Sequence, residues 1–86
     1  MEPYEILKYP LSTEKAVREM EASNSLIFFV DRNASKLQIK KAAEKAFDVK
    51  VTKVRTVISP DNKKKAYIKL HPDYPAIDIT TQLGLV

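Results

Sequence analysis

A chain of 86 residues, 44% hydrophobic and 30% charged, makes one domain over residues 1–86, small but able to bury a single core, and is too apolar to be disordered. It has no cysteine, one histidine and one glycine, which excludes disulfides, leaves a zinc or other imidazole centre short of ligands, and rules out a glycine-rich phosphate cradle; no cofactor and no metal is expected. The net charge of +4 hides a division: from Met1 to Val30 three basic residues stand against five acidic ones, a net −2, whereas from Arg32 to Lys69 twelve stand against three, a net +9, an asymmetry that points to a polyanionic partner, nucleic acid first.

In chain order, Tyr4–Leu7 reads as a short edge strand ended by Pro10. "LSTEKAVREMEAS" reads as a helix capped by Ser12 or Thr13, with Glu14 favoured in its first turn by the helix dipole and Ala16, Val17 and Met20 as its apolar stripe. In "SLIFFVD", Leu26, Phe28 and Val30 share one face and Ile27 and Phe29 the other, so this is a central strand covered on both sides. "ASKLQIKKAAEKAF" is the clearest helix: Ser35 and Gln38 form a capping box, and Ile39, Ala42, Ala43, Ala46 and Phe47 make one buried stripe. Its other face carries Lys36, Lys40, Lys41 and Lys45 with Glu44 alone to offset them. Lys36 with Lys40 and Lys41 with Lys45 repel at i,i+4, a cost that a phosphate-rich partner turns into attraction.

The next strand, "VKVTKVRTVIS", changes phase between Val49/Val51 and Val54/Thr56/Ile58, which implies a bulge or burial on both faces. "SPDN" is a turn with Pro60 at its first central position, and "KKAYIKL" returns with Ala66, Ile68 and Leu70 inward. After "HPDY", Pro75 opens a helix whose Ala76, Ile79 and Leu83 lie on one face and which Gly84 ends, with Leu85 behind it. The order β-α-β-α-β-β-α predicts an α+β fold, a small four-stranded, mostly antiparallel sheet packed with helices.

Catalysis is not expected. His71, before Pro72, has neither a partner nor an orienting group in view, and Glu14, Glu19 and Glu21 sit on a solvated helix face. A small phosphate-ester hydrolase would need the missing glycine-rich cradle, so no small-molecule substrate is expected. The longest apolar run, Leu26 to Val30, is far short of a membrane span, and the acidic, mixed N-terminus does not resemble a secretion signal; a cytoplasmic, not membrane-embedded protein is expected.

The basic residues instead form a candidate RNA-binding set. Lys65, Tyr67 and Lys69 point the same way from their strand, an aromatic ring between two ammonium groups. Lys53 and Arg55 share a phase of the neighbouring strand and extend this surface, and the planar guanidinium of Arg55 suits phosphate. Lys36, Lys40, Lys41, Lys63 and Lys64 belong to the same set, with Lys8 and Lys15 in support. The competing reading is a sheet edge defended by lysines against aggregation. No base-reading code is visible, which favours folded RNA recognised through its phosphates and shape. A small homo-oligomeric regulatory or RNA-binding module is the alternative.

Three stretches, "PLSTEKAV" from Pro10, "ASKLQIKKAAEKAFDVKVTKVRTVISP" from Ala34 and "KKAYIKL" from Lys64, together resemble the universal large-subunit ribosomal protein family number twenty-three, in order and in spacing over nearly the whole chain. The resemblance implies a structural constituent of the large ribosomal subunit, bound to large-subunit rRNA beside the polypeptide exit tunnel. It implies a small helical ribosomal protein as neighbour, and transient docking of the signal recognition particle and the protein-conducting channel. In bacterial members the glutamate of a similar "SEK" motif meets a ribosome-bound chaperone; the matching position is Glu14, and Glu14 with Glu19 is the candidate factor-docking side. Bacterial members also carry a long basic hairpin loop where this chain has "SPDNK", so it is more similar to archaeal members. Arg55 stands where the family often has asparagine.

Overall fold

Polar caps set the starts of the two longer helices in the computed structural model, which describes residues 3–85. Helix α2 (Glu14–Ser23) begins where Thr13 Oγ1 accepts the Ala16 amide at 3.2 Å. Helix α3 (Lys36–Phe47) begins with a reciprocal capping box: Ser35 Oγ accepts from the Gln38 amide at 3.1 Å and Gln38 Oε1 from the Ser35 amide at 2.9 Å. Each satisfies backbone donors that the first helical turn leaves unbonded. Helix α4 (Ala76–Gln82) ends in a Schellman motif: Gly84 takes φ 74°, its amide donates to Thr81 O at 3.1 Å, and Leu85 donates to Thr80 O at 2.9 Å.

Four strands, β1 (Leu7–Pro10), β2 (Ser25–Val30), β3 (Val51–Ile58) and β4 (Lys64–Leu70), form one sheet in the order β1-β2-β4-β3, and every neighbouring pair is antiparallel. A short helical segment, α1 (Pro3–Ile6), precedes the expected β-α-β-α-β-β-α order. The register of β3 on β4 shifts between Val51 and Lys53, the bulge that the change of phase implied.

Strand alternation sends apolar side chains to both faces of β2. On the first face Leu26, Phe28 and Val30 join Ala66, Ile68 and Leu70 of β4 beneath Ile39, Ala42 and Ala43 of α3, with Ala76 and Ile79 of α4 completing the cluster. On the second, Ala16 and Met20 of α2 cover Ile27, with Tyr67 packed beside them. The sheet therefore lies between α3 and α2, and β2 is the strand enclosed by both.

Two local expectations change. The N-terminal strand is Leu7–Pro10 rather than Tyr4–Leu7, and Pro3–Ile6 is helical. Proline fixes φ near the helical value and gives up an amide that a first helical turn cannot use. The Ile6 carbonyl that ends this turn accepts from the Asp31 amide at 2.8 Å. Pro10 is paired with Phe28 and stays in the strand because β1 is at the sheet edge, where a missing donor breaks no ladder. In α3 the expected buried stripe stops short: Ala46 is exposed, and Phe47, half-buried, sets its ring 5.7 Å from that of Phe28.

Candidate nucleic-acid interface

The outward residues of β4 find partners across the second sheet face. Arg55 lies opposite Tyr67, Lys53 opposite Lys69 and Val57 opposite Lys65. The Arg55 guanidinium carbon sits 4.5 Å from the Tyr67 ring centroid, a cation–π contact that holds a long charged side chain flat. Where α2 crosses the sheet it leaves a cleft of about 240 Å³. Helix α2 supplies Glu19 and Ser23 to one wall; Lys53, Arg55, Tyr67 and Lys69 form the other, with Ser25 between them. Ser23 Oγ donates to Glu19 O and lies 2.7 Å from Ser25 Oγ.

The hairpin end gathers a second group. The Ser59–Asn62 turn closes by Asn62 N–H to Ser59 O at 2.9 Å and Ser59 N–H to Lys63 O at 2.8 Å, with Asn62 at φ 68°. The Ser59 hydroxyl also donates to Asp61, and this bond, opposed by desolvation and aided by backbone amides and the Lys63 charge, holds the Asp61 carboxyl below its ordinary value. Lys63 reaches over the Phe29 ring at 5.6 Å, and Phe29 in turn packs 4.8 Å from Tyr9. A shallow groove of about 200 Å³ here includes Lys8, Arg32, Lys63 and Lys64, with Lys8 3.9 Å from Asp31.

Lys64 is held differently. It points to the α3 face, where its ammonium donates to Ala34 O at 2.7 Å and Arg32 O at 3.5 Å, tying the start of β4 to the turn before α3. Lys64→Met is expected to lower stability by about 1 kcal/mol, the worth of one such bond; a urea melt checks it.

Lys36, Lys40 and Lys41 lie on α3, across the sheet from Lys65, Tyr67 and Lys69. The structure thus divides the predicted set between two faces instead of one, and only the hairpin end, where Lys64 meets Ala34, brings the two groups near each other. Glu44, the one acidic residue among the α3 lysines, turns its carboxylate to the Val51 amide at 3.1 Å and so caps β3 rather than neutralising its neighbours. Lys15 is exposed on α2. Glu14 is paired with Arg18 at 2.6 Å, whereas Glu19 stands in the cleft with Arg55 and Lys69 and not on a separate acidic side.

Sequence reasoning missed Asn24. It ends α2 at φ 51°, its Nδ2 faces the carbonyls of Leu70, His71 and Tyr74 at 3.3–3.5 Å, and its Oδ1 accepts the Ala76 amide at 2.7 Å. Asparagine directly after a helix was the available signal for the left-handed cap; partners some fifty residues away were not. His71 has a turn role, its Nδ1 accepting from the Asp73 amide at 3.1 Å. Among the described residues no group of three or more acidic or histidine side chains could hold a metal ion, and no helix is long and apolar enough to cross a membrane.

Charge balance distinguishes the basic half of the chain. The ion pairs among the described residues are Lys8 with Asp31 and Arg18 with Glu14. None of the twelve basic residues from Arg32 to Lys69 takes part in one. Residues 5–78 match the family model described as ribosomal protein L23.

Proposed function

The chain belongs to the ribosomal protein L23 family, whose members are structural components of the large ribosomal subunit and not enzymes, and from this we propose that large-subunit rRNA lies against both of its basic faces. The observation that carries this reading is the net +9 between Arg32 and Lys69, where none of the twelve cations is held in an ion pair among the described residues. Left alone they repel one another; against phosphates they are neutralised and release condensed counterions, a term that dominates nucleic-acid affinity. Lys53, Arg55, Lys65 and Lys69, with Tyr67, serve the sheet face, and Lys36, Lys40 and Lys41 the helical face. Lys8 and Lys63 extend the contact at the hairpin end, and Lys15 from α2.

Glu14, at the start of α2, is the residue we assign to protein factors that meet the emerging chain beside the exit tunnel, namely the signal recognition particle and the protein-conducting channel, next to a small helical ribosomal neighbour. The short Ser59–Lys63 connection keeps the hairpin an RNA contact rather than a tunnel-reaching loop. Cytoplasmic large subunits sedimented at physiological salt are expected to retain the tagged protein, with crosslinks from Lys40 and Lys69 falling on rRNA nucleotides. Its absence from the large-subunit fraction would overturn the placement.

A further inference from the structure

The cleft between α2 and the sheet holds something that phosphate neutralisation does not explain. Glu19 stands beside Lys53, Arg55 and Lys69, yet its carboxylate makes no hydrogen bond or ion pair among the described residues. A carboxylate in a site built only for phosphate repels the ligand. The same cleft contains a planar guanidinium supported by an aromatic ring, 4.5 Å apart, and two serine hydroxyls 2.7 Å from each other. Its volume of about 240 Å³ is on the scale of one nucleoside.

Each part matches a part of an unpaired nucleotide. A base turned out of an RNA helix stacks on guanidinium planes and aromatic rings, and Arg55 backed by Tyr67 is such a platform. Lys53 and Lys69, opposite each other on β3 and β4, flank it where the 5′ and 3′ phosphates leave. An acceptor-only group within the cleft selects a base edge with two adjacent donors, and among the four bases only guanine presents these together, N1–H and N2–H, on its Watson–Crick edge. Ser23 and Ser25 are within the same cleft for the ribose. We infer that this cleft takes a single extruded guanosine of the RNA, with Arg55 as its stacking plane and Glu19 reading its Watson–Crick edge. The inference rests on the rRNA-binding reading and adds base selectivity to it.

The test uses the full chain and labelled octanucleotides, eight uridines or seven with one central guanosine, adenosine or cytidine, titrated at several salt concentrations. Wild type is expected to prefer the guanosine oligomer by about tenfold, the discrimination of one good bidentate contact. Glu19→Gln removes a negative charge, so it should bind the uridine, adenosine and cytidine oligomers slightly more tightly, while the guanosine oligomer weakens severalfold and its preference falls to within about twofold. A merely electrostatic role would raise all four alike and preserve their ranking. Arg55→Lys keeps the charge and loses the plane; it should cost the guanosine oligomer about tenfold with an unchanged salt slope. Equal binding of all four by wild type, with a normal salt slope, overturns the guanosine site and leaves the rRNA reading intact. No binding at any salt concentration overturns both.

Discussion

Asn24→Ala is expected to destabilise the protein by about 2–3 kcal/mol and to lower its midpoint of thermal unfolding by about 10–20 °C. Three losses combine. Alanine at φ 51° keeps the left-handed cost of a Cβ, about 1 kcal/mol, without the polar side chain by which asparagine offsets it. The Ala76 amide loses the acceptor that caps α4, a helix whose own Pro75 offers no side-chain cap. The carbonyls of Leu70, His71 and Tyr74 lose their shared donor. Asn24→Gly keeps the backbone conformation without strain and should recover about 1 kcal/mol of the loss. Asn24→Asp keeps the acceptor for Ala76 but turns a carboxylate oxygen toward three carbonyls, so it should be no better than alanine. Calorimetry on the three variants separates the terms; equal stability of Asn24→Ala and wild type would remove Asn24 from its structural role.

The second large effect concerns binding. Replacing Lys53, Arg55 and Lys69 together by glutamine should weaken binding to a large-subunit rRNA fragment about a hundredfold, taking about 1 kcal/mol for each charge-assisted contact. The slope of log affinity against log salt should fall by about 2–3 units. Replacing Lys36, Lys40 and Lys41 by glutamine should have a similar effect on the slope through the opposite face. The second triple variant also relieves the i,i+4 repulsion between Lys36 and Lys40, so its free protein should be slightly more stable than wild type. Loss of binding in one variant and none in the other would confine the RNA to a single face.

Much of the fold is written locally. The caps at Thr13 and Ser35, the glycine exit at Gly84 and the inward run Ala66, Ile68, Leu70 are each settled by a few neighbouring residues, and they appear where the pattern puts them. The enclosure of β2 on both sides was legible because Ile27 is as apolar as Leu26 and Phe28. The N-terminal segment was misread because four residues are too few to show a period, and Pro10 reads as an end although an edge strand tolerates proline. Ala46 was misplaced because periodicity continues a stripe indefinitely, whereas a helix stays on its sheet only as far as the crossing allows.

The interface was legible in part for a related reason. Alternation along β4 tells which side chains share a face, so Lys65, Tyr67 and Lys69 were grouped correctly with Lys53 and Arg55. It does not tell on which side of the sheet a helix will pack. That depends on which apolar faces pair, Ile39 and Ala43 with Ile68 or Met20 with Ile27, and the choice separated the α3 lysines from those of the strands. The cleft and Glu19's place in it exist only because α2 crosses the sheet, and the spacing of neither segment records that.

With rRNA against both cationic faces, as proposed above, the body of the protein is a spacer of fixed thickness between two RNA segments. An RNA that offers one segment to each face is gripped bivalently, because seating the first holds the second at high effective concentration. Joined segments should then bind some 10²–10⁴ times more tightly than either alone. The gap between those segments would be dictated by the thickness of one sheet and one helix, so this small chain would act as a ruler for the folded RNA around it.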